Sequence, residues 1–227
     1  MTSLQVVLFD VDFTIAKPGP DLGPEGYQRL GRRFGLELEP TRYTDARRGA
    51  VETLQRHPEF DHDEEVWVLF TEQIIRGMGG NSDRAYDCAV EMTRAWEHAY
   101  NFDIYEDVLP TFDALRQHEL RLGLVSNTGR DLDAFVRHHG LDVDAAVSSG
   151  VHGKIKPHPT IFQAALARLE VAPGQAVMIG DSVEDDVEGA RAVGMRGLLL
   201  DRDDRYPEVE GKLTDLRALP AALGLPV

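Results

Sequence analysis

A single cysteine, Cys88, stands in 227 residues, so no internal disulfide can form and the chain suits a reducing compartment. Basic residues are also scarce. Lys and Arg number 24 against 39 Asp and Glu, giving a formal charge of -15 and a pI near 4.9. A surface this acidic repels phosphate backbones and anionic lipid, which argues against nucleic acid and membrane as partners. No apolar run approaches the ~20 residues that a membrane span needs. The N-terminal run at residues 4–9 is broken by Asp10 and lacks a basic leader, so it does not read as a signal peptide. These absences predict a cytoplasmic protein, and nothing in the sequence requires more than a monomer, which leaves monomer or homodimer open.

What is present suffices for folding. Apolar residues make up 42% of the chain, enough for one sizeable core or for a core with a smaller companion. Four short β-branched runs, at residues 4–9, 120–125, 176–179 and 197–200, read as buried parallel strands, with residues 145–148 as a weaker fifth. Helical patterns at 111–118, 131–139, 159–169 and 183–193 separate most of them. Strand and helix alternating in this way predict an α/β doubly wound parallel sheet, with ligands at the carboxyl ends of its strands. Residues 18–101 break the alternation, with four helices expected at 26–34, 41–56, 63–76 and 81–100 and no convincing strand. Val66, Leu69, Phe70 and Ile74 mark the inner face of the third, and Asn81 is the expected N-cap of the fourth. The stretch reads as a helical bundle inserted after the first strand. The expected division is a core of residues 1–15 and 105–227 and a bundle of residues 16–104, with hinges at 17–20 and 101–107.

Four stretches carry candidate chemistry. Asp10 and Asp12 stand one residue apart where the first apolar run ends, in Asp10-Val11-Asp12-Phe13-Thr14. Unpaired buried charge is costly, so two carboxylates there call for a metal or a proton. One would serve as nucleophile and metal ligand, the other as acid and base, although acids also end strands without any such role. Ser126-Asn127-Thr128-Gly129 offers a hydroxyl and backbone N–H groups to an anion; alone it is a turn. Lys156 is kept outside the following helix by Pro157 and Pro159, a position where most lysines are solvated surface charges. Asp181 directly follows the third run and Gly180, where hard cations such as Mg²⁺ find oxygen ligands. Asp185 and Asp186 lie in the helical turn beyond it, where acids are ordinarily dipole partners or caps.

In this order, each near the end of a successive strand, the four motifs resemble those of the haloacid dehalogenase superfamily of hydrolases: D-x-D-x-T, then Ser or Thr, then Lys, then an acidic GDxxxD-type loop. KPHPTIFQAAL and GDSVEDDVEGARAVGM are similar to the phosphoglycolate-phosphatase-like branch well beyond those positions. The resemblance implies a Rossmann-like core with an inserted α-helical cap. It further implies a Mg²⁺-dependent phosphatase of a small phosphorylated metabolite, acting through an aspartyl-phosphate. Asp10 would attack phosphorus and Asp12 would act as acid, then base. Asp10, the Asp12 carbonyl and Asp181 would hold the metal, while Ser126, the Asn127 N–H and Lys156 would hold the phosphoryl oxygens. Thr14, Asp185 and Asp186 would support the site, Asp186 more than Asp185.

Two details bear on the choice of reaction. Phe13 stands where the family most often has glycine, whose backbone freedom would permit an unusual angle there. The 2-haloacid dehalogenases usually have tyrosine at the position of Asp12, because a halide leaves without a proton; the acid favours phosphate-ester hydrolysis. A phosphosugar mutase of the β-phosphoglucomutase kind keeps the same motifs. A non-catalytic member that binds only metal or ligand would keep the fold.

Overall fold

The computed structural model describes residues 3–54 and 56–226. Its strands are β1 (Val6–Phe9), β2 (Ala16–Pro18), β3 (Phe102–Ile104), β4 (Arg121–Ser126), β5 (Ala145–Ser148), β6 (Ala176–Gly180) and β7 (Arg196–Leu199). Five of them form one sheet in the order β5-β4-β1-β6-β7. All four pairings are parallel, with Phe9 opposite Leu124 on one side and Ile179 on the other. β1 is therefore central, and its four residues Val6, Val7, Leu8 and Phe9 are fully buried. A parallel sheet covered on both faces needs such an unbroken apolar run.

The chain divides into two compact units, Met1–Lys17 with Ile104–Val227, and Pro18–Asp103. In the second unit α1 (Pro24–Arg33), α2 (Tyr43–Glu52), α3 (Glu64–Gly77) and α4 (Ala85–Trp96) form a helical bundle in which α3 packs on both α2 and α4. Tyr27 of α1 is buried against Tyr43, with ring centroids 5.3 Å apart. In the first unit the sheet is covered by α5 (Val108–Gln117), α6 (Leu132–His139), α7 (Ser149–His152), α8 (Pro159–Arg168) and α9 (Gly189–Ala192). Period-2 alternation along β1 sends Val6 and Leu8 to one face, where Ile161, Phe162, Ala165 and Leu166 of α8 join them in one cluster. Phe9 packs against Phe112 of α5, with centroids 4.9 Å apart. Each such side chain contributes roughly 1.5–3 kcal/mol on full burial.

Several local expectations need correction. The inner face of α3 is Val68, Thr71, Ile74 and Ile75; Leu69 is exposed, and Val66 and Phe70 are only half-buried. Thr71 turns inward because its hydroxyl accepts a hydrogen bond from Thr93 on α4, at 3.3 Å, a pairing that a polarity stripe misses. Asn81 is not a cap. It closes a tight turn on Gly79, and the Ser82 hydroxyl instead accepts from the Arg84 N–H just before α4. The second helix of this unit ends at Glu52 instead of running to Arg56. The two expected hinges contain β2 and β3, which pair as a two-stranded ribbon too short to show a period. The helix expected at 183–193 is a π-helical turn, Val183–Glu188, followed by α9. Among the described residues, no helix is long and apolar enough to cross a membrane.

Candidate active site

Asp10 continues β1 by one residue. Its N–H still donates to the Ile179 carbonyl of β6 at 2.8 Å, so the sheet itself aims the carboxyl. The Thr14 hydroxyl donates to Asp10 Oδ2 at 3.1 Å, and Lys156 Nζ donates to Oδ1 at 2.5 Å. Between Asp10 and Thr14 the backbone doubles back, with the Phe13 N–H donating to the Ala16 carbonyl at 2.7 Å. Phe13 adopts φ 64°, the left-handed region that costs an L-residue roughly 1–2 kcal/mol. Glycine would take this conformation freely, and Phe13 takes it nonetheless.

Lys156 is buried with its whole side chain inside the protein. The Asn127 side chain, at the end of β4, fixes its backbone from both sides. Asn127 Oδ1 accepts from the Lys156 N–H at 2.6 Å, and Nδ2 donates to the Lys156 carbonyl at 3.2 Å. So placed, the ammonium reaches Asp10 and also donates to Asp186 Oδ1 at 2.6 Å. This clasp is made by the Asn127 side-chain amide, a role additional to that expected of its backbone N–H.

Asp186 is delivered by the π-helical turn. Ser182 caps it, with its hydroxyl accepting from the Asp185 N–H at 3.1 Å, while Asp186 Oδ2 accepts from the Ser182 N–H at 3.0 Å. Gly180 makes room: a Cβ there would lie 2.1 Å from the Asp186 carboxyl carbon. Gly180→Ala is therefore expected to drive Asp186 off Lys156. Displacements of that order cost about 10²-fold in rate, which kcat measurements on the variant would show. Wild-type turnover in Gly180→Ala would contradict this placement.

Asp181 is held by a residue that the sequence does not mark. Arg205 Nη2 donates to both the Asp181 carbonyl and Oδ2, each at 2.7 Å. Fully buried Asp201, just past β7, folds the intervening loop by accepting from the Arg205 and Tyr206 N–H groups and from Lys212 Nζ. Asp12 has a similar unforeseen partner. Arg130 Nη1 and Nη2 donate to Asp12 Oδ1 and Oδ2 at 3.0 and 3.2 Å, a bidentate pair with Arg130 almost wholly buried. An arginine in the turn Thr128-Gly129-Arg130-Asp131 reads as solvent-exposed, and only a carboxylate 118 residues earlier in the chain reveals otherwise.

Ser126 is buried at the carboxyl end of β4, two positions beyond the residue paired with Phe9. Asp185 is buried as well but lies outside the carboxylate cluster. That cluster is Asp10, Asp181 and Asp186, whose ligand oxygens lie within 4.8 Å of one another. Burial pushes the Asp10 carboxyl well above the usual carboxylate range; Lys156 pulls it back, and the Asp186 and Asp181 charges push it further up. Burial, then Asp186, raises Asp181 to about 6 against the pull of Arg205 and Lys156. Burial would lower the Lys156 ammonium, but Asp10 and Asp186 outweigh it and keep the group a cation. Negative charge thus exceeds what the buried ammonium can neutralise. Three convergent carboxylates with excess negative charge form a donor set that fits a hard divalent cation.

The profile of haloacid dehalogenase-like hydrolases matches residues 4–194 of the chain. Glyceraldehyde 3-phosphate phosphatase of Methanopyrus kandleri is 27% identical over 93% of this chain and 90% of its own. The crystal structure of a HAD phosphatase from Thermococcus onnurineus has a TM-score of 0.66 at 28% identity, covering 97% and 98% of the two chains. A 2-haloacid dehalogenase from Pseudomonas syringae pv. Tomato DC3000 shares the fold, with a TM-score of 0.63 at 24% identity over 97% and 98%.

Proposed function

The chain belongs to the haloacid dehalogenase-like hydrolases, and from that premise we propose that it is a Mg²⁺-dependent phosphatase of a small phosphorylated metabolite. The observation that carries this reading is Lys156 Nζ bonded at once to Asp10 and Asp186 at the end of the central strand. Such a cation beside a strand-end carboxylate provides what phosphoryl transfer chiefly requires, preorganised charge around an anion and an aligned nucleophile.

Asp10 is the nucleophile. One of its oxygens bonds to phosphorus as the ester P–O bond breaks, and Asp12 gives a proton to the departing alkoxide. Asp12 then takes a proton from the water whose oxygen attacks the aspartyl-phosphate, which restores the Asp10 carboxylate and releases phosphate. Ser126, the Asn127 N–H and Lys156 hold the non-bridging oxygens, with Thr14 steadying Asp10 and Asp186 steadying Lys156. Asp10, the Asp12 carbonyl and Asp181 would hold Mg²⁺, which when bound supplies further positive charge beside the phosphoryl group. Asp185 supports the same helical turn. The helical unit Pro18–Asp103 is the cap, and selection among metabolites falls to it and to the loop after Thr14. An acid at position 12 separates this chemistry from dehalogenation, whose leaving group needs no proton.

Release of phosphate from p-nitrophenyl phosphate and from a panel of phosphorylated metabolites tests the reading. Turnover is expected with Mg²⁺ and is expected to vanish with EDTA and return on adding the metal back. Chloride release from 2-chloropropionate without any phosphate release would overturn it. Isomerised hexose phosphate in place of free phosphate would assign a mutase instead.

A further inference from the structure

Arg130 has no part in the reading above, yet it is nearly inaccessible to solvent while Asp12 keeps 21% of its side chain exposed. A substrate therefore cannot touch the guanidinium but can reach the carboxylate. Building on the phosphatase reading, we infer that Arg130 is the positioning residue of the acid–base carboxylate, aiming Asp12 at the leaving oxygen.

The fork of Arg130 takes one lone pair from each Asp12 oxygen, at 3.0 and 3.2 Å, and each oxygen keeps a second lone pair for a proton. Both carboxylate torsions are thereby fixed, which a single hydrogen bond would not do. Arg130 is itself anchored. Its backbone N–H donates to the Thr128 hydroxyl at 3.1 Å, and the Phe135 ring centroid lies 5.2 Å from its guanidinium carbon. The Thr128 carbonyl in turn accepts from the Gly150 N–H at 3.0 Å and from the Ser149 hydroxyl. The turn that follows β4 thus does two jobs: Asn127 sets Lys156, and Arg130, three residues on, sets Asp12.

The chemistry balances without any added reactant. As the Asp10–P bond forms, the ester P–O bond breaks and its electron pair takes the Asp12 proton, leaving Asp12 a carboxylate facing a permanently charged guanidinium. In the second half Asp12 takes a proton from water and is restored. Arg130 acts only through this group, so its value depends on how badly the leaving oxygen needs a proton.

That dependence is measurable. A series of substituted phenyl phosphates, from p-nitrophenyl phosphate to phenyl phosphate, grades the leaving group at nearly constant shape. In Arg130→Lys, which keeps the charge but loses the fork, kcat/KM for phenyl phosphate is expected to fall about tenfold more than for p-nitrophenyl phosphate, with KM little changed. Asp12→Asn should show the same skew, and adding Arg130→Lys to it should cost little more. Thr128→Val, which loosens the anchor and keeps the guanidinium, should show a smaller skew and serves where Arg130→Lys fails to fold. An equal loss across the series, or additive losses with Asp12→Asn, would reduce Arg130 to a structural part and end the inference. Wild-type protein inert towards every ester would overturn the phosphatase reading itself.

Discussion

Asp10→Asn is expected to abolish turnover of p-nitrophenyl phosphate, by at least about 10⁴-fold in kcat, because an amide cannot form the covalent phosphoryl intermediate. The fold should survive the change. The amide oxygen can still accept from Lys156 Nζ, and the amide NH₂ can donate to the Thr14 hydroxyl, so both native contacts have a counterpart. Burial and the nearby Asp181 and Asp186 charges already push the Asp10 carboxyl up, so removing its charge relieves repulsion. The thermal midpoint is therefore expected to hold or rise, the usual signature of a site kept at some cost to stability. Calorimetry and a steady-state assay on one preparation check both halves. Residual activity above a few per cent of wild type would remove Asp10 from the nucleophile's role.

Lys156→Met is expected to damage both properties. It deletes the ammonium shared by Asp10 and Asp186, leaving two carboxylates in the interior without their cation. Breaking a buried pair by removing one partner costs about 3–5 kcal/mol. In a chain of this length that is a fall of roughly 10 °C in the unfolding midpoint. Losing the donor proposed to hold the phosphoryl oxygens is expected to cost a further 10²–10³-fold or so in kcat. The sign of the pH dependence is distinctive. Lysine supplies the largest pull holding the Asp10 carboxyl down, so without it that group is raised further above its unfolded value. A raised carboxyl stabilises the fold below the unfolded value of about 3.9 and loses that contribution as pH climbs through the folded one. The deficit of the variant against wild type is thus expected to be larger at pH 8 than at pH 5. Denaturant unfolding at the two values measures it, and a deficit independent of pH would show that Lys156 contributes packing alone.

Much of this centre is legible in the sequence because its acids sit where apolar runs stop. Asp10 and Asp181 each end such a run, and both runs form parallel strands of one sheet. The fold is legible for the same reason: the strands of a covered parallel sheet announce themselves by composition. What escaped depends on distant partners. Nothing near Arg130 in the chain predicts its burial, and nothing near Arg205 predicts its pairing with Asp181, since each ion pair is made with an aspartate distant in sequence. The sequence also hides that the Asn127 side chain clasps the backbone of Lys156. Thr71 turns inward on a hydroxyl pairing across helices, which hydrophobic periodicity cannot see. The π-helical turn at Val183–Glu188 hides behind an ordinary helical pattern.

The strand order has a consequence for biosynthesis. β1 is translated first but finds its flanking neighbours only once β4 and β6 exist, and Asp186 follows β6. Asp10 and Lys156 stand 146 residues apart in the chain, so a ribosome must make that whole stretch, and then β6 and Asp186, before the proposed nucleophile can meet its partners. A product that stops short of Lys156 would carry Asp10 without Lys156, Asp181 or Asp186, the cation and carboxylates gathered around it in the folded chain.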